Sequence, residues 1–135
     1  MKKIMLALGL FFTAAMAHAQ TVNPIEVGSV GPNILKLDLS WSGTSAASVK
    51  ETRGYNTREI YRNYGYSTTA TIVQAGTYTF TFANLTNCNA LGCTETVFAA
   101  VPITIRACGV HGGYGAPTDY LGEDNNGNFV CDWAE

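Results

Sequence analysis

Beyond its first 19 residues, the sequence lacks any apolar run approaching the roughly 20 residues that a membrane helix needs. It also lacks the G-x-S-x-G motif of many hydrolases and the CxxC spacing of zinc-binding cysteine pairs. Histidine occurs only twice, which leaves few bases for acid–base catalysis. These absences predict no membrane span in the mature chain, and no catalytic motif stands out.

The charges are few and unevenly distributed. The formal charge of the whole chain is −2, and removal of Lys2 and Lys3 leaves −4. Segment 119–135 contains five acidic residues and no Lys or Arg, so residues 20–118 carry +1. Because nucleic-acid binding needs a concentration of basic residues, we expect no nucleic-acid partner.

The N-terminus is typical of a secretory signal peptide. Two lysines precede a short apolar segment, 4–15, and small residues up to Ala19 form a cleavage site. We therefore expect residues 1–19 to be removed and the mature chain to be secreted or periplasmic. The remainder is long enough for one domain with a hydrophobic core.

The four cysteines indicate two disulfides, because an even number in an exported domain is typical of a disulfide framework. Three pairings are open, and two zinc-binding thiolate pairs are the alternative chemistry. We favour Cys88–Cys93, which would close a tight loop between two strands, because opposite residues of a hairpin lie within disulfide range. The other bond would then be Cys108–Cys131, which would hold the tail against the body.

Apolar–polar alternation predicts strands through most of the body. Residues 35–41 and 77–82 alternate strictly, and 67–73 and 94–106 are rich in strand-forming residues. Pro102 cannot donate a backbone hydrogen bond, so its strand should lie at an edge or carry a bulge there. The fold predicted from this pattern is an all-β, antiparallel β-sandwich.

The segment 48–66 is more ambiguous. We predict two short strands around a turn at 53–56, because the flanking segments are strand-like. A helix over 57–64 is the alternative, since Thr57 could cap it.

Three segments resemble the bacterial fibronectin type III and immunoglobulin-like modules of secreted proteins. They are LDLSWS at 37–42, IYRN at 60–63 and AGTYTFTF at 75–82. The resemblance covers about 34–106. It implies a Greek-key β-sandwich that serves as a spacer, adhesion or ligand-binding module, and it implies no catalytic residue.

A change in composition after residue 106, where glycines become frequent and β-branched residues few, sets the expected domain organisation. Residues 20–106 would form the sandwich, and 107–135 would form a glycine-rich, acidic and irregular appendage held by a disulfide. Trp41 is expected in the core, and Trp133 is expected to anchor the appendage.

Basic and aromatic residues interleave in the middle of the chain, where they could contact a sugar or an acidic partner. The alternative is an ordinary strand pair in which tyrosines are half-buried and arginine stems cover them. The residues predicted to bind a ligand are Tyr55, Arg58, Tyr61, Arg62 and Tyr64.

The acidic end of the chain has the oxygen-ligand spacing of a twelve-residue calcium loop. Position 6 is Phe129 where such loops have glycine, so a solvated polar tail is the alternative. The predicted ligands are Asp124, Asn126, Asn128 and Asp132, supported by the Val130 carbonyl and Glu135. Apart from calcium at this loop, we expect no cofactor.

Taken together, the sequence predicts an exported, non-catalytic binding module with a protein or carbohydrate partner outside the cytoplasm. A secreted enzyme or enzyme inhibitor acting through the C-terminal loop near His111 is one alternative. A structural subunit of an extracellular assembly is another.

Overall fold

The computed structural model describes residues 19–110 and 120–135. Strands make up most of this part of the chain, so the expected all-β class is confirmed. The predicted signal peptide lies almost entirely outside the described residues. The strands are β1 (Thr21–Val22), β2 (Glu26–Gly31), β3 (Ile34–Ser42), β4 (Ala46–Arg53), β5 (Asn56–Tyr64), β6 (Ser67–Ile72), β7 (Gly76–Asn89), β8 (Gly92–Cys108) and β9 (Tyr120–Gly122).

The strands form two antiparallel sheets. In the first sheet β3 is central, with β1 and β2 along one edge and β6 along the other. The second sheet has the order β5-β4-β7-β8-β9. The chain crosses from one sheet to the other after β3, after β5 and after β6, whereas β4–β5 and β7–β8 remain together as hairpins.

Alternate residues of β3 point into a core that both sheets share. Leu35, Leu37 and Leu39 are 0% exposed and Trp41 is 2% exposed, so the alternation in the sequence predicted the buried face correctly. The Trp41 indole donates a hydrogen bond to the Gly65 carbonyl at 3.1 Å, which satisfies its buried N–H. The second sheet contributes Ala47, Val49, Tyr78, Phe80, Phe82, Ile103 and Ile105 to this core.

The ambiguous segment forms the strand hairpin β4–β5, and the helical alternative is wrong. The two strands pair from Ala46 opposite Tyr64 to Arg53 opposite Asn56. Gly54 in the turn has a φ of 62°, a conformation that glycine adopts without steric cost. The strands are longer than the sequence pattern indicated.

Pro102 lies at a sheet edge, as predicted. Among residues 19–110 and 120–135, β8 has a neighbour on one side only at this position, because β9 pairs with just the last three residues of β8. Farther back, β8 has a bulge in which Phe98 is inserted between Val97 and Ala99. The ring centroids of Phe98 and Phe82 are 6.2 Å apart, so the bulge adds an aromatic side chain at the edge of the core.

The hairpin β7–β8 extends beyond the first residue of β4, Ala46. The last β7 residue that pairs with β4 is Asn84. We call residues 85–96 the arm. Within the described structure, the two strands of the arm pair only with each other. The disulfide Cys88–Cys93 joins the two strands of the arm, and Leu91 in its turn is 98% exposed.

The tail, residues 120–135, continues the second sheet. We expected an irregular appendage from residue 107, but β8 runs to Cys108 and β9 pairs with it. Leu121 is 4% exposed and belongs to the shared core. The predicted disulfide Cys108–Cys131 is present with both cysteines fully buried, and its Cα atoms are 5.2 Å apart.

Trp133 anchors the end of the tail, as expected. Its indole N–H donates to the Leu121 carbonyl at 2.8 Å, and its ring lies edge-on to Tyr120 at 5.9 Å. A Cβ atom at Gly122 would lie 2.5 Å from the indole nitrogen, so glycine is needed for this close approach. A single turn of 3₁₀ helix at Asp132–Ala134 holds the indole in place. No helix long and apolar enough to cross a membrane occurs in the two described ranges.

Candidate functional site

The five residues predicted to bind a ligand lie along β5 and its turn. Tyr55 is at the tip of the β4–β5 turn, and Tyr64 is the last residue of the strand. At about 3.3 Å per residue, roughly 30 Å of strand separates these two tyrosines. They are therefore too far apart to contact one small ligand together.

A bulge separates Arg58 from Arg62. Arg58 lies opposite Glu51 of β4, whereas Arg62 lies opposite Ser48. Glu51 and Ser48 are three residues apart in an unbroken strand, so they point to opposite faces. The extra residue of the bulge, Ile60, lies in β5 between the two arginines. In an unbroken strand, arginines four residues apart would share a face, and the bulge removes that arrangement.

Two of the five side chains lie on the core side of the sheet. The Arg58 guanidinium donates to both carboxylate oxygens of Glu51, at 3.2 and 3.4 Å, and Glu51 is 9% exposed. The Tyr61 ring lies edge-on to Trp41 at 5.3 Å, and its hydroxyl donates to the Tyr64 carbonyl at 2.6 Å. Tyr61 therefore has a clear structural role between the core and the end of β5.

Arg62 belongs to a network of charges on the outer face of the second sheet. It donates to Glu59 at 2.9 Å and also contacts Glu95, which in turn accepts from Lys50 at 3.3 Å. The Ser48 hydroxyl donates to Glu59 at 2.6 Å and is almost completely covered by this network. The network joins β4, β5 and β8, and it leaves no net charge on its four ionised members.

Hydrogen bonding within this network shifts its ionisation. The bond from Arg62 holds the pKa of Glu59 below its usual value, against the smaller opposing effect of burial. Bonds from Arg62 and then Lys50 likewise lower the pKa of Glu95. Hydrogen bonds to the two glutamates raise the pKa of Arg62. Ionised partners are thus favoured across the neutral pH range.

Exposed tyrosines remain at both ends of β5. Tyr55 is 105% exposed, Tyr64 is 76% exposed and Tyr66, just after the strand, is 57% exposed. Tyr66 belongs to the same aromatic and basic segment but was not among the five predicted residues. Its backbone carbonyl accepts a hydrogen bond from the Trp41 amide at 2.9 Å, so its position is fixed by the core. A sequence pattern has no signal for this contact.

Tyr66 lines an open depression, which we call the end pocket. Its other walls are the turn 43–45 between β3 and β4 and residues 84–86 of β7. The pocket has a volume of about 500 Å³. It exists because β4 begins at Ala46, so the side of β7 that β4 would cover is left open beyond Asn84.

The C-terminal loop has the backbone of a compact polar turn. Both carboxylate oxygens of Asp124 accept backbone N–H groups, from Asn128 at 3.1 Å and Phe129 at 2.9 Å. Asn126 and Asn128 also accept backbone N–H groups, at 3.2 and 2.9 Å. Phe129 has a φ of 67°, the left-handed conformation, at the position where calcium loops use glycine for a sharp turn. The noncanonical residue therefore does not prevent the turn.

The proposed ligands are held by this internal bonding. Asp132 accepts from the backbone and side chain of Asn125, and Glu135 accepts from the Asn126 amide. Within residues 19–110 and 120–135, no group of three or more His, Cys, Asp and Glu side chains is arranged to hold a metal ion. Calcium binding by the loop stays a prediction that depends on amide and backbone oxygens as well as carboxylates.

The cysteines and His111 complete the set of predicted residues. All four cysteines form disulfides, which leaves no thiolate for the alternative zinc sites. His111 lies outside the described residues. Comparisons of this chain with protein-family models, with curated proteins and with solved structures found no match.

Proposed function

We propose that this chain is an exported, non-catalytic binding module that contacts a protein or carbohydrate partner outside the cytoplasm. The observation that carries the proposal is the exposure of three tyrosines along the edge strand β5 and the turns that flank it, Tyr55, Tyr64 and Tyr66. Tyrosine is enriched in binding surfaces because it offers a large apolar ring and a polar tip at little cost in conformational entropy.

The strand order supports an immunoglobulin- or fibronectin type III-like module. In such sandwiches strands A, B and E are neighbours in one sheet, and C, F and G are neighbours in the other. Here β2-β3-β6 and β4-β7-β8 have those neighbours, and β5 takes the place of the additional strand beside C in variable-type domains. Modules of this kind serve many functions, so the fold narrows the function without fixing it.

The disulfides support export. One disulfide is buried and the other joins two strands. Such bonds indicate that the chain folds in an oxidising compartment outside the cytoplasm. Residues 1–19, with their basic start and small-residue cleavage site, are proposed as the signal peptide that directs the chain there.

The two predicted arginines have a smaller part in this proposal. Arg58 is paired with Glu51, and Arg62 is paired with Glu59 and Glu95. A partner would have to compete with these intramolecular pairs for either guanidinium. We therefore assign most of the contact to the exposed tyrosines and a flanking role to the arginines.

The experiment compares two triple variants of the oxidised mature chain. One variant replaces Tyr55, Tyr64 and Tyr66 with Ser. The matched control replaces three exposed apolar residues associated with the first sheet, Val30→Ser, Ile34→Ser and Val73→Ser. Each immobilised protein is presented with the extracellular and periplasmic proteins of the source cells and with an array of glycans.

The proposal predicts one partner that the unaltered chain and the control retain and the tyrosine variant loses. Circular dichroism spectra and melting temperatures of all three proteins should remain close, because the altered side chains are exposed. Equal retention by both variants, or retention of no partner by the unaltered chain, would contradict the proposed function.

A further inference from the structure

The end pocket arises from a mismatch in strand length. The strand β4 pairs with β7 only as far as Asn84, but β7 continues to Asn89. Beyond that point β7 has β8 on one side, and its other side opens into the pocket. Backbone N–H and C=O groups on an unpaired strand edge need other hydrogen-bond partners, so this wall is polar in its backbone. Its side chains are mixed, because the apolar Leu85 lies between the polar Asn84 and Thr86.

The side chains that line the pocket are uncharged. Thr44, Ser45 and Thr86 offer hydroxyl groups, Asn84 offers an amide, and Tyr66 offers an aromatic ring with a hydroxyl. A charged ligand entering here would lose hydration without gaining an opposite charge, which is unfavourable. The lining therefore favours a neutral ligand that carries many hydroxyl groups.

The polar groups are held in place before a ligand arrives. The Thr44 side chain is 8% exposed, and its hydroxyl contacts the Ala46 carbonyl at 2.9 Å and the side-chain amide of Asn84. The second heteroatom of that amide has no hydrogen-bond partner among the described residues. It keeps its hydrogen-bonding capacity for a ligand, while Thr44 restricts the rotation of the side chain.

The aromatic wall is equally well supported. The Trp41 amide donates to the Tyr66 carbonyl at 2.9 Å, and the Trp41 indole donates to the adjacent Gly65 carbonyl at 3.1 Å. The backbone beneath the Tyr66 ring is therefore attached to the core by two hydrogen bonds. An exposed aromatic ring on a fixed backbone, next to hydroxyl and amide groups, suits a sugar ring, whose C–H face is apolar and whose edge carries hydroxyls.

We propose that the end pocket binds a neutral saccharide, with the ring of Tyr66 against one sugar and Asn84 and Thr86 hydrogen-bonded to its hydroxyls. This inference deepens the proposed binding function and rests on it. The open shape of the pocket suits a chain of sugars whose other units stay in water. Tyr64, at the same end of β5, is near enough in sequence to contact a neighbouring unit of the chain.

The test is an NMR titration of the oxidised mature chain with soluble hexasaccharides. The neutral probes are chains of glucose in β1–4 and α1–4 linkage, mannose, galactose and N-acetylglucosamine, and the charged probe is hexagalacturonate. With at least one neutral probe, amide shifts should change first in 43–45, at Tyr66 and in 84–86. Tyr66→Ala and Asn84→Ala should each weaken binding by about tenfold or more, the loss expected for a well-placed contact.

Three comparisons keep this test decisive. Leu91→Ala, at the turn of the arm and 98% exposed, is the control and should bind like the unaltered chain. Thr86→Ala, whose side chain is exposed, replaces Asn84→Ala if the latter lowers the melting temperature. Shift changes that leave the pocket amides unaffected, stronger binding of hexagalacturonate, or no binding of any neutral probe would overturn the inference.

The outcome separates this inference from the function on which it rests. If no neutral saccharide binds but a protein partner still depends on the exposed tyrosines, the saccharide assignment alone is wrong. If a peptide shifts the same pocket amides, the ligand class is wrong and the pocket remains a binding site for that peptide. If neither a saccharide nor a protein is retained by the unaltered chain, the proposed function fails as well.

Discussion

The body, residues 34–106, and the tail, residues 120–135, are held in the fold by different interactions. The body contains thirteen of the fourteen buried residues of the core cluster, and the tail contributes only Leu121. The tail instead depends on the buried disulfide Cys108–Cys131, the packing of Trp133 and hydrogen bonds from Asp124 to the backbone. The tail thus buries few apolar side chains, and a disulfide and side-chain hydrogen bonds to the backbone hold it in their place.

The largest expected effect is on the free energy of unfolding, and it appears when the same Leu→Ala substitution is made at a buried and at an exposed leucine. Leu39→Ala should lower the free energy of unfolding by about 2–5 kcal/mol, because Leu39 is fully buried between the sheets. Leu91→Ala, at the 98% exposed turn of the arm, should change it by less than about 0.5 kcal/mol. Urea unfolding followed by tryptophan fluorescence measures both values, and similar losses at the two sites would refute this core.

A glycine pair tests the packing of the tail. Gly122→Ala would place a Cβ atom 2.5 Å from the Trp133 indole nitrogen, so the indole must move. We expect a loss of about 1–3 kcal/mol in unfolding free energy and a change in near-ultraviolet circular dichroism. Gly28→Ala is the matched control, since a Cβ atom there meets no neighbour within 4 Å. An unchanged near-ultraviolet spectrum in Gly122→Ala would show that the indole does not pack on this glycine.

The predicted calcium loop offers a third comparison, because only the tail carries it. If the loop binds calcium with the affinity usual for extracellular modules, millimolar calcium should stabilise the chain by about 1 kcal/mol. Asp124→Ala should remove that increment while the response to magnesium stays negligible. Calorimetry with calcium and with a chelator measures the effect, and an identical melting temperature in both would leave the solvated polar tail as the correct interpretation.

The smallest expected effects are pH-dependent and differ in sign between the two regions. The folded-state pKa of Glu95 is lowered by hydrogen bonds from Arg62, so its contribution to stability is present at neutral pH and is lost as the pH falls through that pKa. Burial, with a further contribution from Asp132, raises the pKa of Glu123. The contribution of Glu123 is therefore present below its unfolded pKa and is lost as the pH rises through the folded one.

Neutral substitutions at these two glutamates should therefore act in opposite directions at pH 7. Glu95→Gln should lower the melting temperature slightly, and Glu123→Gln should raise it. Each effect should be below about 1 kcal/mol, because both side chains are partly solvated. Both differences should shrink as the pH falls and the carboxyl groups become protonated. The Glu95 difference should persist to lower pH than the Glu123 difference, because the pKa of Glu95 is lowered and that of Glu123 is raised. Shifts of the same sign at pH 7 would contradict this assignment.

The sequence predicted the body better than the site. Strict alternation in β3 and β7 identifies the buried face, because the side-chain period of a strand is two. The missing N–H of Pro102 predicted an edge position or a bulge, and the edge is present. Hairpin geometry favoured the disulfide pairing that is present. The tail was less predictable, since its attachment through β9 depends on a three-residue strand with no periodic pattern.

The arrangement along β5 could not be predicted from residue types. Spacing alone puts Arg58 and Arg62 on one face, but the bulge opposite Val49 and Lys50 reverses the alternation between them. The end pocket also has no local signal, because it depends on where β4 begins relative to β7. Both features come from strand register, which tertiary packing sets.

Hydrogen exchange of the disulfide variants tests most directly whether the core holds the body and the disulfide holds the tail. In Cys108→Ala/Cys131→Ala, we predict that amides of residues 122–135 exchange like those of an unstructured chain, while those of β3 and β7 remain the slowest in the protein. In Cys88→Ala/Cys93→Ala, only amides near the arm turn should lose protection. Loss of protection in β3 and β7 together with the tail, or a tail that stays protected without its disulfide, would contradict the account.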